Sequence, residues 1–152
     1  MTGKPFALAV LLLVALLPAS RAYAQQQART LLRRLAYQVN QTIRLGDADS
    51  VHDLRVSIRR FTQCLRTFAQ CFPKGEPRRI RQKLKIIMQA ASDVRDYDIT
   101  LDLLRDAGIA QKSKVAGAID RQRKQAKREL MDVLGRSSRD TFSRKWRTKL
   151  EL

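Results

Sequence analysis

His52, Arg55, Arg59, Thr62 and Arg66 follow one another at spacings of 3, 4, 3 and 4, with Arg60 alongside. On an α-helix this spacing lines the side chains along one stripe, here about 20 Å long. A row of guanidinium groups repels itself, and a solvated face dilutes such repulsion with acidic partners one turn away. Asp53, at the start of the helix, is the one acid within the span of this stripe. The chemistry such a row suits is capture of an extended anion. Arg makes bidentate contacts to phosphate or carboxylate oxygens, and a protonated His52 adds a donor.

Further cations follow the same logic. Arg78, Arg79, Arg81, Lys83 and Lys85 come without an intervening acid, and Arg121, Lys124 and Arg128 repeat the 3,4 spacing with Arg123 and Lys127 beside them. Five of the fourteen acids cluster instead at Asp93, Asp96, Asp98, Asp102 and Asp106, so charge is segregated along the chain. The clustered carboxylates could be read as a metal site, but cages for hard cations usually converge from loops or several helices. Pairing of Asp96 and Asp98 with neighbouring Arg or Lys is the expected role. The sequence offers no metal set or cofactor signature. With a single His, no nucleophile–base pairing, no glycine-rich phosphate loop and no G-x-S-x-G turn, it predicts a binding protein and not an enzyme.

The elements that must hold these residues read as helices. A hydrophobic content of 44%, six Gly and four Pro in 152 residues, and the absence of alternating apolar/polar runs argue for an all-α fold. The excess of 31 Lys+Arg over 14 Asp+Glu, formally +17, points to an anionic partner. Gln26 to Leu45 predicts a first helix ended by Gly46. Ser50 with Asp53 reads as a capping box opening a second. Val51, Leu54, Ile58, Phe61, Leu65, Phe68 and Phe72, spaced 3,4,3,4,3,4, form the core seam of that helix. Pro77 opens a third helix carrying Ile80, Leu84, Ile87, Ala91, Val94 and Leu101 and stopping at Gly108. A fourth, Lys112 to Leu134, places Val115, Ile119, Ala126, Leu130 and Val133 inward and ends at Gly135. A short amphipathic piece with Phe142, Trp146 and Leu150 closes the chain. The simplest assembly is an antiparallel four-helix bundle with a core of its own.

Residues 1–24 read as a targeting segment and not as fold. Lys4 gives a basic start, Phe6 to Leu17 is unbroken apolar sequence, Pro18 breaks it, and Ala22-Tyr23-Ala24 offers a small-x-small cleavage site. The apolar run is too short to span a bilayer, which needs about 20 residues. The expectation is a signal peptide over 1–24 and an exported, periplasmic or secreted, helical domain over 25–152. Cleavage there removes Lys4 and Arg21 and no acid, lowering the charge from +17 to +15. Cys64 and Cys71, seven residues apart on one helix, would be roughly 10 Å apart, too far for a disulfide. They read as buried thiols, with an intermolecular pair as the alternative.

Val51-His52-Asp53-Leu54-Arg55-Val56, then Arg59-Arg60, Leu65-Arg66 and Phe68, resemble the signature of the CHAD family, the conserved-histidine α-helical domain. Val94-Arg95-Asp96-Tyr97-Asp98-Ile99 is similar to the family's second landmark, an Arg-Asp-x-Asp-Val run about forty residues on. The match covers about residues 45 to 135. The resemblance implies an all-helical fold that binds inorganic polyphosphate in a basic channel, with the family histidine at His52 and basic ligands at Arg55, Arg59, Arg60 and Arg66. Lys83, Arg95, Arg121, Lys124 and Arg128 are placed by pattern alone, and Arg95 could equally serve Asp96 and Asp98. Thr62 stands where the family often has another Arg, and Ala91-Ser92 where it usually has Leu-Gly. Family domains usually carry two four-helix repeats, and this chain has room for one. It either dimerises to rebuild the channel or offers an open groove.

Two other partners compete. A chain this basic binds nucleic acid nonspecifically, although no aromatic interleaves the stripe to stack on bases. The basic tail Arg136 to Lys149, with Phe142 and Trp146, could hold the protein to anionic lipid.

Overall fold

A computed structural model describes the backbone of residues 4–139 and 142–152, and the side chains of 20–136 and 142–152. The described residues form five α-helices and one 3₁₀ turn, with no strand among them: α1 (Lys4–Leu45), α2 (Ala48–Thr67), the turn Ala69–Cys71, α3 (Glu76–Asp106), α4 (Lys114–Arg139) and α5 (Phe142–Lys149). The fold is all-α, as the composition predicts. Helices adjacent in sequence pack on one another, α1 touches α4 more sparingly, and α5 folds back onto both. Among the described residues no helix is long and apolar enough to cross a membrane.

α1 is longer than expected. It runs unbroken through Ala22-Tyr23-Ala24 and does not begin at Gln26. Ala24, Ala28, Leu32, Leu35 and Val39 are buried along one stripe of it, so the core period already includes the last residue before the expected cleavage point. Tyr23 meets Phe68 edge-on at 5.8 Å, and Arg21 pairs with Glu151 at 2.6 Å. The basic start and apolar run of the expected signal peptide, Lys4 and Phe6 to Leu17, have side chains outside the described residues.

The turn into α2 differs from the capping box read at Ser50. Gly46 takes a left-handed φ of 56°, and Asp47 after it is the extended N-cap, its carboxylate accepting from the Ser50 N–H at 2.8 Å. The helix therefore starts at Ala48, and the Ser50 hydroxyl donates to the Asp47 carbonyl at 3.0 Å. Buried Thr42 donates to the Ser50 carbonyl at 3.0 Å, tying the end of α1 to the start of α2.

The predicted α2 seam is in the core: Val51, Leu54, Ile58, Phe61 and Leu65 are buried. The helix stops at Thr67, however, and does not continue to Phe72. Phe72 precedes Pro73, which disfavours helical backbone, and it sits extended at φ −115° and ψ 163° while its ring is still buried. The two cysteines consequently lie on different elements. Both are free thiols, Cys64 buried and Cys71 half-buried. Burial pushes the Cys64 thiol up and keeps it protonated.

α3 begins after Gly75 with Pro77 in its first turn, and it buries Ile80, Leu84, Ile87, Ala91 and Val94. Leu101 is only half-buried, and Asp98 extends the buried stripe instead. α4 starts two residues later than expected, where the Ser113 hydroxyl accepts from the Ala116 N–H at 3.2 Å. It runs through Gly135, which has no positive φ, and so does not end there. Its inward face keeps Ala126 and Leu130 as expected, with Ile119 half-buried, and shifts by one residue only at its two ends. Ala116, Ala126, Leu130 and Leu134 are buried, whereas Val115 is 57% exposed and Val133 only partly covered. Between those ends Arg123 turns inward to meet Asp98 of α3. α5 seats Trp146 in the core, stacked on Phe61 at 6.2 Å and edge-on to Phe142 at 4.9 Å, and Leu150 behind it is buried.

Candidate anion-binding groove

α2 and α3 are joined by the eight residues 68–75, so they run in opposing directions. Each carries its cations one residue ahead of its buried seam. On α2 the seam 51, 54, 58, 61, 65 is followed by 52, 55, 59, 62, 66. On α3 the seam 77, 80, 84, 87, 91, 94 is followed by 78, 81, 85, 88, 92, 95. In two opposed helices the same rotational offset turns both flanks toward one groove. There the structure has a cleft of about 510 Å³ with Arg59, Thr62 and Arg66 on one wall, Arg78, Arg81 and Lys85 on the other, and Ile58, Leu84 and Met88 along its floor.

None of these five cations has a carboxylate within 4.0 Å among the described residues. Arg79, one position away, is by contrast paired with Glu76 at 2.7 Å. The Arg81 Nε is buried without a hydrogen-bond partner. A cleft of unpaired guanidinium and ammonium groups with apolar carbon beneath them can take an anion without first breaking an internal ion pair.

Of the residues picked out by sequence, Arg59 and Arg66 line this cleft, and Thr62 lies between them. Arg55, half-buried, and His52, exposed, continue the same α2 stripe beyond the cleft, and half-buried Arg95 continues the α3 stripe. Arg60 and Lys83 are exposed and do not line it. Arg121, Lys124 and Arg128 are exposed on α4, which packs on α3 and α1, so the structure does not bring them to the cleft. Lys124 is paired with Asp120 at 2.8 Å, and that contact holds the Asp120 carboxyl below its ordinary range. Lys124 and Arg128 border a separate surface hollow with Lys127 and Asp132.

Arg78, Arg81 and Lys85 were grouped as basic in the sequence but not picked out as ligands. The signal that selects them over Lys83 is the one-residue offset from the α3 seam.

The acidic landmark divides in two. Asp98 is 6% exposed and accepts from the Arg123 Nε, which is the carboxylate–guanidinium role expected of it. That pairing goes to Arg123 and not to Arg95. Asp96 is exposed, and its backbone carbonyl accepts from Thr100 at 2.8 Å. No group of three or more His, Cys, Asp or Glu among the described residues is placed to hold a metal ion. Trp146 and Phe142, which could have met lipid, are spent on the core.

The fold and the cleft define an all-α protein with a cationic groove between two opposed helices. The family model of the CHAD domain matches residues 26–152, and the chain belongs to that family. The match begins two residues after the expected cleavage point. No curated protein and no solved structure matches the chain.

Proposed function

We propose that this chain binds inorganic polyphosphate along the α2/α3 groove, with Arg59, Arg66, Arg78, Arg81 and Lys85 as its principal ligands and Arg55, His52 and Arg95 extending the track. CHAD domains are associated with polyphosphate binding. The observation that carries the reading is the cleft whose two walls present five cations without acidic partners among the described residues. A linear polyanion neutralises them together, releasing condensed counterions as nucleic-acid binding does.

The protein acts in this reading as an exported binder with no catalytic step and no cofactor, built as one antiparallel four-helix unit. Two copies facing each other would enclose a chain that one copy holds in an open groove. Arg60, Lys83, Arg121, Lys124 and Arg128 then contribute field and not direct contacts.

The deciding experiment is capture on polyphosphate resin at about 150 mM salt, where exposed charge pairs are screened beyond roughly 8 Å. Wild type is retained, and Arg59→Ala/Arg81→Ala is not. Elution by duplex DNA at lower concentration than by long-chain polyphosphate would replace this reading with nonspecific nucleic-acid binding. His52-dependent phosphate release would replace it with catalysis.

A further inference from the structure

The two ends of the fold are finished differently. At the end where α3 begins, α5 closes the core, with Trp146 on Phe61 and Lys149 paired with Glu76 at 3.1 Å. At the other end the helices stop at different levels. α3 has 31 residues against 20 in α2 and runs back along it, so roughly its last three turns, about 16 Å of helix, pass the start of α2. α4 turns back beside α3, and Lys127, more than three turns into α4, is the residue that lies over Gly46 in the α1–α2 turn. The end is a step, with the α3–α4 hairpin projecting and the α1–α2 turn recessed.

Burial follows the step. α3 is buried at every third or fourth residue from Pro77 to Asp98, yet between Ile99 and Gln125 only Ala116 is buried. Leu101 of α3 and Ile119 of α4 keep the inward phase of their seams but are half-buried, because α1 and α2 have ended opposite them. Leu101, Leu104 and Ile109 line a hollow of about 480 Å³ that Ala48, at the start of α2, also borders. Charge divides across the step as well. Lys112 and Lys114, at the tip of the hairpin, and Asp49, in the first turn of α2, are exposed. None of the three has an oppositely charged partner within 4.0 Å among the described residues.

We propose that two copies of this chain pair end to end through these steps, each α3–α4 hairpin filling the recess over Ala48 of the partner subunit. A step is complementary to its own inverted copy, which is what an isologous two-fold interface requires. Leu101 and Ile119 pack on the same residues of the partner subunit, in the place that α1 and α2 occupy further along each helix. Lys112 and Lys114 come to Asp49 of the partner subunit. The two-fold axis crosses the joint from the α3 side to the α4 side, so both α2/α3 grooves open on one face. With the groove as a polyphosphate site the pair offers one longer track, a consequence that rests on that reading, whereas the pairing itself does not. Copies meeting groove to groove would instead bury Arg59 and Arg81 between them.

The test is sedimentation velocity of the full chain at rising concentration, without polyphosphate. Wild type shows a monomer–dimer equilibrium. Lys112→Asp/Lys114→Asp sets like charges against each other across the joint and weakens the dimer at least about tenfold, and so does Asp49→Lys. Mixing the two variants restores pairing as a heterodimer, since each tip then meets an opposite charge, and damage to the fold could not produce that recovery. Ile109→Glu, at the exposed tip, also dissociates the dimer. A monomer at every concentration, an association indifferent to these substitutions, a mixture that fails to pair, or a dimer formed only with polyphosphate would each overturn the proposal. A dimer that passes these tests while Arg59→Ala/Arg81→Ala is still held on polyphosphate resin would remove the groove reading and leave the joint standing.

Discussion

The Lys127 side chain of α4 lies directly over Gly46 in the α1–α2 turn, so close that a Cβ at Gly46 would stand 2.6 Å from Lys127 Cε and 2.8 Å from its Nζ. Gly46 also holds a φ of 56°, which costs an L-residue about 1–2 kcal/mol. Gly46→Ala is therefore expected to lose stability on that scale and to push the flexible Lys127 tip aside. Gly75→Ala is the matched control, with φ 85° and nothing within 4 Å of the added atom. Urea midpoints of the two variants should differ only by the displacement of Lys127. A Gly46→Ala protein as stable as wild type would show that the turn is not held as described.

Acid should unfold the protein through its paired carboxylates. Asp47 sits below its ordinary value of 3.8 chiefly because it accepts from the Ser50 N–H. Glu76 sits below 4.5 through its hydrogen bonds from Arg79 and Lys149. A carboxyl whose folded pKa is depressed contributes stability that is complete above its unfolded value and disappears as pH falls through the folded one. Melting temperature should accordingly be level from pH 7 to about 5 and fall below about 4.5. Asp47→Asn keeps a capping acceptor but no titration, so it should shallow the acid limb in melts taken from pH 3 to 7.

The legible part of the fold was the part governed by period. The seams of α2 and α3 fall where spacing puts them, because each faces neighbouring helices along most of its length. The errors sit where a single polar residue outbids the pattern. Asp47 caps α2 because Gly46 makes the turn just before it, a preference that Ser50 and Asp53 mask in the sequence. Arg123 reads in the sequence as one more surface cation, and only its partner Asp98 reveals it as part of the contact between α3 and α4. Arg81 and Lys85 are hidden among the five basic residues between 78 and 85 until the α3 seam supplies a reference direction. The helix also extends upstream of Gln26, where Ala24 joins the buried stripe of Ala28 and Leu32, four residues ahead of the first seam position that the sequence marks.

Trp146 tests whether the basic tail belongs to the fold or to a surface. It is 5% exposed and stacked on Phe61, so Trp146→Ala should cost about 3–5 kcal/mol in a denaturant titration. Polyphosphate binding by the fraction still folded should be unchanged. If the substitution instead left stability intact and removed binding to anionic liposomes, Trp146 would be a lipid anchor.

Arg59→Lys asks whether the groove reads geometry or only charge. Arg59 faces the wall formed by Arg78, Arg81 and Lys85 across a cleft in which a phosphate chain can be gripped from both sides. Lys keeps the charge but replaces a planar fork by a point donor, so the bidentate contact is lost. Affinity for long-chain polyphosphate should drop by at least roughly tenfold, the value of one charge-assisted hydrogen bond. The salt dependence should stay as steep as in wild type, because the number of neutralised phosphates is unchanged. Arg59→Ala should weaken binding further and lower the slope of log affinity against log salt by about one contact's worth, roughly 0.7 to 0.9. Titrations between 50 and 200 mM salt separate the two variants. Identical affinity of wild type and Arg59→Lys across that range would reduce the groove to a general basic surface, since field strength does not distinguish a guanidinium from an ammonium.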